Sequence, residues 1–332
     1  MAELTHYRGR ALLVTGATGF IGSQVVRAAL RGGLKVRLLA RDPQRAKDLG
    51  GVEPWTGDLL QPASLEGIAR GIEYVVHAAG VLGKWGRPES SLYDVNVQGS
   101  LNLLQACRGA GLRRLLHLSA GGVTGPLQAH AVDETYPCRP VTVYEKSKLL
   151  GEQRVLEQSK AWGIPASVLR PTFTYGPGDP HKLPLFQAIQ AGKLVLIGGG
   201  GSVLHPVYID DLVGGILLAL ERARDGEIYI LGGDSPVTKR KLTGAIADAL
   251  KVRRPAISIP RWLAAAAAAA LEMLARRFGF EPILTRSRVS MMSENFGYTI
   301  DKARAELGYA PQTSLRDGIR RTVAAYRRDG LL

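Results

Sequence analysis

The stretch Ala11-Leu12-Leu13-Val14-Thr15-Gly16-Ala17-Thr18-Gly19-Phe20-Ile21-Gly22 constrains this chain more than any other. An apolar run that reads as a strand, Ala11–Val14, passes through three glycines spaced Gly-x-x-Gly-x-x-Gly into a helix-like stretch, Gly19–Arg31. Glycine permits the tight turn and close backbone approach that seat a diphosphate on the free amides of a helix start. A glycine triplet alone occurs in many loops. Set between a strand and a helix, with another strand about twenty residues on, it predicts a dinucleotide cradle. Its residues are Gly16, Thr18, Gly19, Phe20, Ile21 and Gly22.

The pattern continues. Leu34–Leu39, Tyr74–His77, Leu115–Ser119 and Ala166–Leu169 are short β-branched or leucine-rich runs, and Pro62–Arg70, Ser91–Ala110 and Val143–Trp162 are helix-like. Strands alternating with crossover-length helices predict an α/β fold, a Rossmann doubly wound parallel sheet. After Pro171 the pattern loosens through Gly176-Pro177-Gly178-Asp179-Pro180 and Gly198–Gly201. Beyond it, Val207–Ile209 and Glu227–Leu231 read as strands, and Lys239–Leu250, Trp262–Arg277 and Ser314–Arg328 as helices. The reading assigns 1–170 to a dinucleotide-binding domain and 171–332 mainly to a smaller C-terminal substrate lobe interleaved with it.

The formal net charge of +14 favours anionic partners, among them nucleic acid, acidic membranes and phosphorylated cofactors. The arginines are scattered, and no helix-turn-helix, zinc-finger spacing or aromatic–basic interleaving is present, which argues against nucleic acid. Only Cys107 and Cys138 occur, without metal-ligand spacing, so no metal is expected, and neither His181 nor His205 has convincing companion ligands. The start, Met1-Ala2-Glu3-Leu4-Thr5, lacks a basic-then-apolar signal, and a cytoplasmic location is expected. The longest apolar run, from Trp262 to Leu274, is too short to span a bilayer. Its alanines, Ala264–Ala270, read either as an ordinary amphipathic helix or, with Trp262, Arg261, Arg276 and Arg277, as a peripheral contact with an anionic membrane.

Tyr144 and Lys148 stand four residues apart, on one face of the predicted helix Val143–Trp162. A phenol ionises near pH ~10, and a neighbouring ammonium stabilises its phenolate, which suits alcohol–ketone proton transfer.

These features together resemble the extended branch of the short-chain dehydrogenase/reductase superfamily, in its NAD-dependent epimerase/dehydratase group. The resemblance covers nearly the whole chain. It is carried by the glycine spacing, Gly57-Asp58-Leu59, His77-Ala78-Ala79-Gly80, Asn96-Val97-Gln98-Gly99 and Tyr144-x-x-x-Lys148. It implies that Asp58 and Leu59 lie near the adenine. It adds Ala78, Ala79, Gly80, Asn96, Pro171 and Thr172 to the cofactor set, with Lys148 on the nicotinamide ribose. Tyr144 and Lys148 are the implied catalytic pair, and Ser119 is read as the third member. The family's loop after this strand often shows two serines, the second catalytic; here Ser119 matches the first and Ala120 the second, with Thr124 an alternative hydroxyl.

Cofactor choice turns on Leu38-Leu39-Ala40-Arg41-Asp42. An arginine at the strand tip clamps a 2′-phosphate, so Arg41 favours NADP(H) over NAD(H); Asp42 lies where a ribose-binding acid would select NAD. Leu39-Ala40-Arg41-Asp42-Pro43 and Gly176-Pro177-Gly178-Asp179 further resemble the 3β-hydroxysteroid dehydrogenase/dihydroflavonol reductase-like group. The implied activity is interconversion of an alcohol and a ketone on a hydrophobic small molecule. The alternatives are a nucleotide-sugar epimerase/dehydratase and a non-catalytic NADP(H)-binding scaffold. The resemblance also implies a homodimer paired through Ser91–Ala110 and Val143–Trp162.

Overall fold

A computed structural model describes residues 7–332; the Met1-Ala2-Glu3-Leu4-Thr5 start lies outside the described residues. Strand β1 (Ala11–Thr15) carries Leu12, Leu13 and Val14 with no exposure, because both faces of its sheet are covered. A strand buried on both faces reads as a continuous apolar run, which is how it stands in the sequence. Around it lie β2 (Lys35–Ala40), β3 (Val52–Thr56), β4 (Tyr74–His77), β5 (Arg114–Leu118), β6 (Ala166–Pro171) and β7 (Ile228–Leu231). They form one parallel sheet in the order β7-β6-β5-β4-β1-β2-β3. The chain leaves β1 toward β2 and β3, then returns to β4 on the opposite side. The crevice where the winding reverses is where ligands sit in such sheets, at the carboxyl ends of the strands.

The helices of two turns or more among the described residues are α1 (Phe20–Arg31), α2 (Gly99–Ala106), α3 (Val143–Trp162), α4 (Leu183–Gln190), α5 (Ile209–Arg222), α6 (Lys239–Leu250), α7 (Arg261–Phe278), α8 (Arg286–Ser293) and α9 (Leu315–Arg328). On one face of the sheet Val25 and Val26 of α1 join Ile216 and Leu220 of α5 in a core that runs on through Leu242, Ile246 and Tyr326. On the other, Leu103 and Leu104 of α2 and Val155 of α3 cover Leu13, Val75 and Leu115. The first core therefore joins the 171–332 stretch to the sheet without a break, and β7 pairs directly with β6.

Several boundaries differ from the sequence reading. Strand β3 was not among the strands read from the sequence; its Val-Glu-Pro-Trp-Thr holds a proline, which is tolerated because the strand is the sheet's edge. The predicted helix Pro62–Arg70 is only one 3₁₀ turn, Pro62–Leu65, ended by turns around Gly67 at φ 76°. Ser91–Ala110 is broken into Ser90–Tyr93, a π-helical turn at Asp94–Gln98, and α2. The strand read at Val207–Ile209 is Pro206–Tyr208, and Ile209 instead opens α5, a helix the alternation did not show. Helices α4 and α8 were likewise unread.

Candidate active site

The glycine turn leaves the tip of β1 and starts α1. Gly16 has φ 71°, and a Cβ there would fall 2.6 Å from the Ala79 nitrogen; a Cβ on Gly22 would fall 2.2 Å from the Gly16 carbonyl oxygen. Only glycine satisfies both approaches. The N-cap Gly19 offers no side chain to the helix, and the first turn of α1 holds no acid. Its uncapped amides and the positive end of its dipole suit a pyrophosphate. Thr18 is exposed, Phe20 and Ile21 are half-buried, and Ala78 and Ala79 line the other side of the turn. These residues fit a dinucleotide.

At the tip of β2, Ala40 is buried and Arg41 is exposed. Asp42 is spent locally: its Oδ1 accepts from the Gln44 amide at 3.0 Å and caps the Pro43–Ala46 turn. Arg41 has no ion pair among the described residues, so the cation at this tip is free, while one oxygen of the neighbouring carboxylate is engaged. Gly57 donates to the Ala40 carbonyl at 3.1 Å, which draws Asp58 and Leu59 to the same edge. Asp58 accepts from the Leu60 amide at 2.9 Å, and the Leu59 carbonyl accepts from Asn102 at 2.7 Å.

Helix α3 places the chemical pair. A reciprocal capping box fixes its start: Glu145 donates its amide to Thr142 Oγ1 at 3.2 Å and returns a carboxylate oxygen to the Thr142 amide at 2.9 Å. Tyr144 therefore stands in the first turn, half-buried against the Gly80–Gly86 loop, where a Cβ on Gly83 would meet its Cβ at 3.7 Å. One turn on, Lys148 is buried and donates from Nζ to the Leu118 carbonyl at 2.5 Å. A Cβ on Gly80 would lie 3.8 Å from that Nζ and 3.2 Å from Asn96 Oδ1. Tyr144, Lys148, Gly80 and Asn96 thus meet at one place.

The protonation of the pair departs from the simple expectation of a phenol lowered by lysine. Burial, with Glu145 second, pushes the Tyr144 phenol up to about 12. Burial draws Lys148 down to about 8 against the opposing effect of Glu152. The ammonium is engaged with Leu118, and what dominates at Tyr144 is the loss of water.

Ser119 is buried and its Oγ has no partner, whereas the Thr124 hydroxyl is committed to the Gly121 and Gly125 carbonyls and to Tyr298. Ala120 supplies no hydroxyl. Of the three positions weighed, Ser119 has the free one. Pro171, ending β6, and half-buried Thr172, whose Oγ1 also lacks a partner, flank the same strand tips.

Sequence reasoning missed the scaffold behind these residues. Ser100 Oγ donates to the Asn96 carbonyl at 2.9 Å, so His77 Nε2 donates to Ser100 at 2.8 Å and His77 Nδ1 accepts from Thr15 at 2.6 Å. Burial and the Lys148 charge hold His77 down to about 3, neutral as this single tautomer requires. Asn96 bonds both the amide and the carbonyl of Val81 and donates to Ser147, which donates to the Tyr144 carbonyl at 2.8 Å. A continuous chain thus runs from the glycine-turn strand to the helix of Tyr144. Gly151 admits it: a Cβ there would fall 2.3 Å from the Asn96 carbonyl oxygen. The signal present in the residue order was Gly151, three residues after Lys148; the π turn that carries Asn96 is seen only in the structure. Tyr298, donating to the Gly121 carbonyl at 2.8 Å, ties the C-terminal lobe to the loop after Ser119. His205 is buried against Gly233 and stacked on Tyr298, a packing position, and His181 is exposed.

Comparison with known proteins agrees with this arrangement. The profile of the NAD dependent epimerase/dehydratase family matches residues 12–232. A 2-alkyl-3-oxoalkanoate reductase of Stenotrophomonas maltophilia is 31% identical, over 95% of this chain and 98% of its own. A 4-hydroxy-2-methyl-3-oxo-4-farnesyl-3,4-dihydroquinoline-1-oxide ketoreductase of Stigmatella aurantiaca is 31% identical, over 92% and 93%. The crystal structure of DesIV, a dTDP-glucose 4,6-dehydratase from Streptomyces venezuelae with NAD and TYD bound, superposes with a TM-score of 0.77 at 29% identity, covering 96% of this chain and 98% of that one. With the cradle, the Tyr144–Lys148 pair and the sheet order in place, the chain belongs to the NAD-dependent epimerase/dehydratase family of the extended short-chain dehydrogenase/reductase superfamily.

Proposed function

We propose that this NAD(P)-dependent oxidoreductase reduces a ketone to an alcohol on a hydrophobic small molecule, using NADP(H). The observation that carries the reading is Tyr144 in the first turn of α3, one turn ahead of the buried Lys148 whose Nζ reaches the tip of β5 beside Gly80 and Asn96. The nicotinamide, when bound, supplies the hydride that the carbonyl carbon accepts. Tyr144, whose phenol is protonated at neutral pH, gives its proton to the carbonyl oxygen. Lys148 holds the cofactor and, while charged, stabilises the phenolate left behind. The free Ser119 hydroxyl orients the substrate oxygen. The free Arg41 and the engaged Asp42 support a 2′-phosphate at the tip of β2.

The names of the two reductase relatives both carry a 3-oxo group beside an alkyl or farnesyl substituent, which supports an apolar ketone here. The same reading takes the assembly as a homodimer paired through the Ser91–Ala110 and Val143–Trp162 segments, and a monomer by light scattering rejects that part. The test of the activity is NADPH consumption with alkylated 3-oxo acids and apolar ketones, run against a nucleotide sugar. Stoichiometric consumption that falls by about 10²–10⁴ in kcat in Tyr144→Phe, with NADPH binding kept, is the expected result. Turnover of the nucleotide sugar on a retained cofactor overturns it in favour of an epimerase or dehydratase. NADPH binding without turnover of any ketone overturns it in favour of a scaffold.

A further inference from the structure

Helix α7 is built inside out. Along its length Ala264, Ala268 and Ala275 are buried together with its single acid, Glu272, which accepts from both the Arg286 amide and guanidinium. Its outward face carries Trp262 at 72% exposure, Met273 at 67% and Phe278 at 71%, with Leu263 and Leu274 between them. Just beyond, Ile283 is 89% exposed. An exposed helix normally turns its polar side to water, and a contiguous apolar surface marks a face that something covers.

The charges that α7 itself exposes are of one sign. Arg261 stands at its start and Arg276 and Arg277 at its end, and no acid of α7 is exposed. Arg276 and Arg277 make no ion pair among the described residues, although Arg277 lies over the Phe278 ring. The nearby carboxylates Glu281 and Glu294 are taken by Arg288 and Arg261. Arg276 and Arg277 are therefore the free cations of this face, and two copies of α7 would offer them no exposed acid in return. An anionic surface complements it instead, with apolar side chains entering the headgroup boundary and guanidiniums reaching phosphates. No helix of the described residues is long and apolar enough to cross a membrane, so α7 would lie in the plane of the interface.

We propose that α7, led by Trp262, Met273 and Phe278 and flanked by Arg276 and Arg277, docks this protein on the surface of an anionic lipid bilayer. The inference stands independently of the substrate reading. The test is co-sedimentation of the full chain with vesicles of phosphatidylcholine alone and of phosphatidylcholine mixed with phosphatidylglycerol. Binding to the anionic vesicles, released by salt, is the expected result. The double variant Trp262→Glu/Phe278→Glu should weaken it by more than about tenfold, and each of Arg276→Ala and Arg277→Ala by about fivefold. The thermal melting midpoint should be unchanged in all of them, which separates lost docking from lost folding. Three results overturn the proposal: an intact chain that sediments with neither vesicle, variants that bind as tightly as the parent, or a dimer by light scattering that the double variant alone converts to monomer. The last would assign the face to a second copy.

Discussion

The ammonium of Lys148 donates to the main-chain carbonyl of Leu118 at 2.5 Å, so the last residue of β5 holds the cation immediately ahead of Ser119. Helix α3 and the sheet tip are thereby locked together through a charge that has been taken out of water, and that charge destabilises the fold.

Lys148 is lowered by burial from the ordinary lysine value of 10.5 to about 8. Below about pH 8 folded and unfolded chains both carry the proton, and the buried charge has its full cost; as pH rises from about 8 to 10.5 the cost disappears. Lys148→Met should therefore raise the Tm at neutral pH by several degrees while abolishing turnover, with the gain closing toward pH 10.5. Calorimetry across that range checks it, and a variant less stable at every pH refutes it.

The two hydroxyls near Gly121 should separate by readout. Ser119→Ala should lower kcat by roughly 10²-fold with the Tm unmoved, since its Oγ bonds nothing in the protein. Thr124→Val should instead cost about 1–2 kcal/mol of stability, having lost the bonds to Gly121 and Gly125, and leave the kcat of folded enzyme within a few-fold. Paired steady-state kinetics and denaturant melts decide; the reverse pattern would move the catalytic role to Thr124.

Arg41→Ala should reduce the preference for NADPH over NADH by about tenfold to a hundredfold, the worth of a charge-assisted pair of hydrogen bonds. Asp42→Ala should change the preference little and loosen the Pro43–Ala46 turn that it caps. Ratios of kcat/KM for the two cofactors measure this, and an unchanged ratio in Arg41→Ala removes the assignment.

Glu152 and Arg170, each buried, form a bidentate pair in which Arg170 Nε donates at 3.0 Å, with Cys138 Sγ as a further neighbour at 3.4 Å. Glu152→Gln leaves the guanidinium buried without its counter-charge and should cost about 3–5 kcal/mol. It also removes the carboxylate that supports the charge on Lys148, so the alkaline limb of the pH–rate profile should move to lower pH. Urea melts and a pH profile of the folded fraction test both effects.

The parts of this molecule legible from residue order were those governed by local rules. The strand–glycine–helix unit follows from backbone sterics at Gly16 and Gly22, and the face shared by Tyr144 and Lys148 follows from the helical period. What was not legible depends on partners distant in sequence. Val52–Thr56 is a strand only because β2 lies beside it, and the Thr15–His77–Ser100–Asn96 chain joins positions whose side chains have no sequence-local reason to meet. The elevation of the Tyr144 phenol was hidden for the same reason. Desolvation belongs to the fold, and no count of neighbouring charges in the sequence reports it.

Pro54 bears on how this protein behaves in a crowd. Gly57 donates to the Ala40 carbonyl, so by the two-residue period of a strand Trp55 and Glu53 also turn their main chain toward β2, and Pro54 turns outward. The outer rim of the sheet therefore presents a missing donor at its centre, beside the exposed carboxylate of Glu53 that Arg37 holds. A strand from another molecule arriving at that rim finds no complete ladder to extend, and the sheet stops growing at its seventh strand instead of templating aggregation.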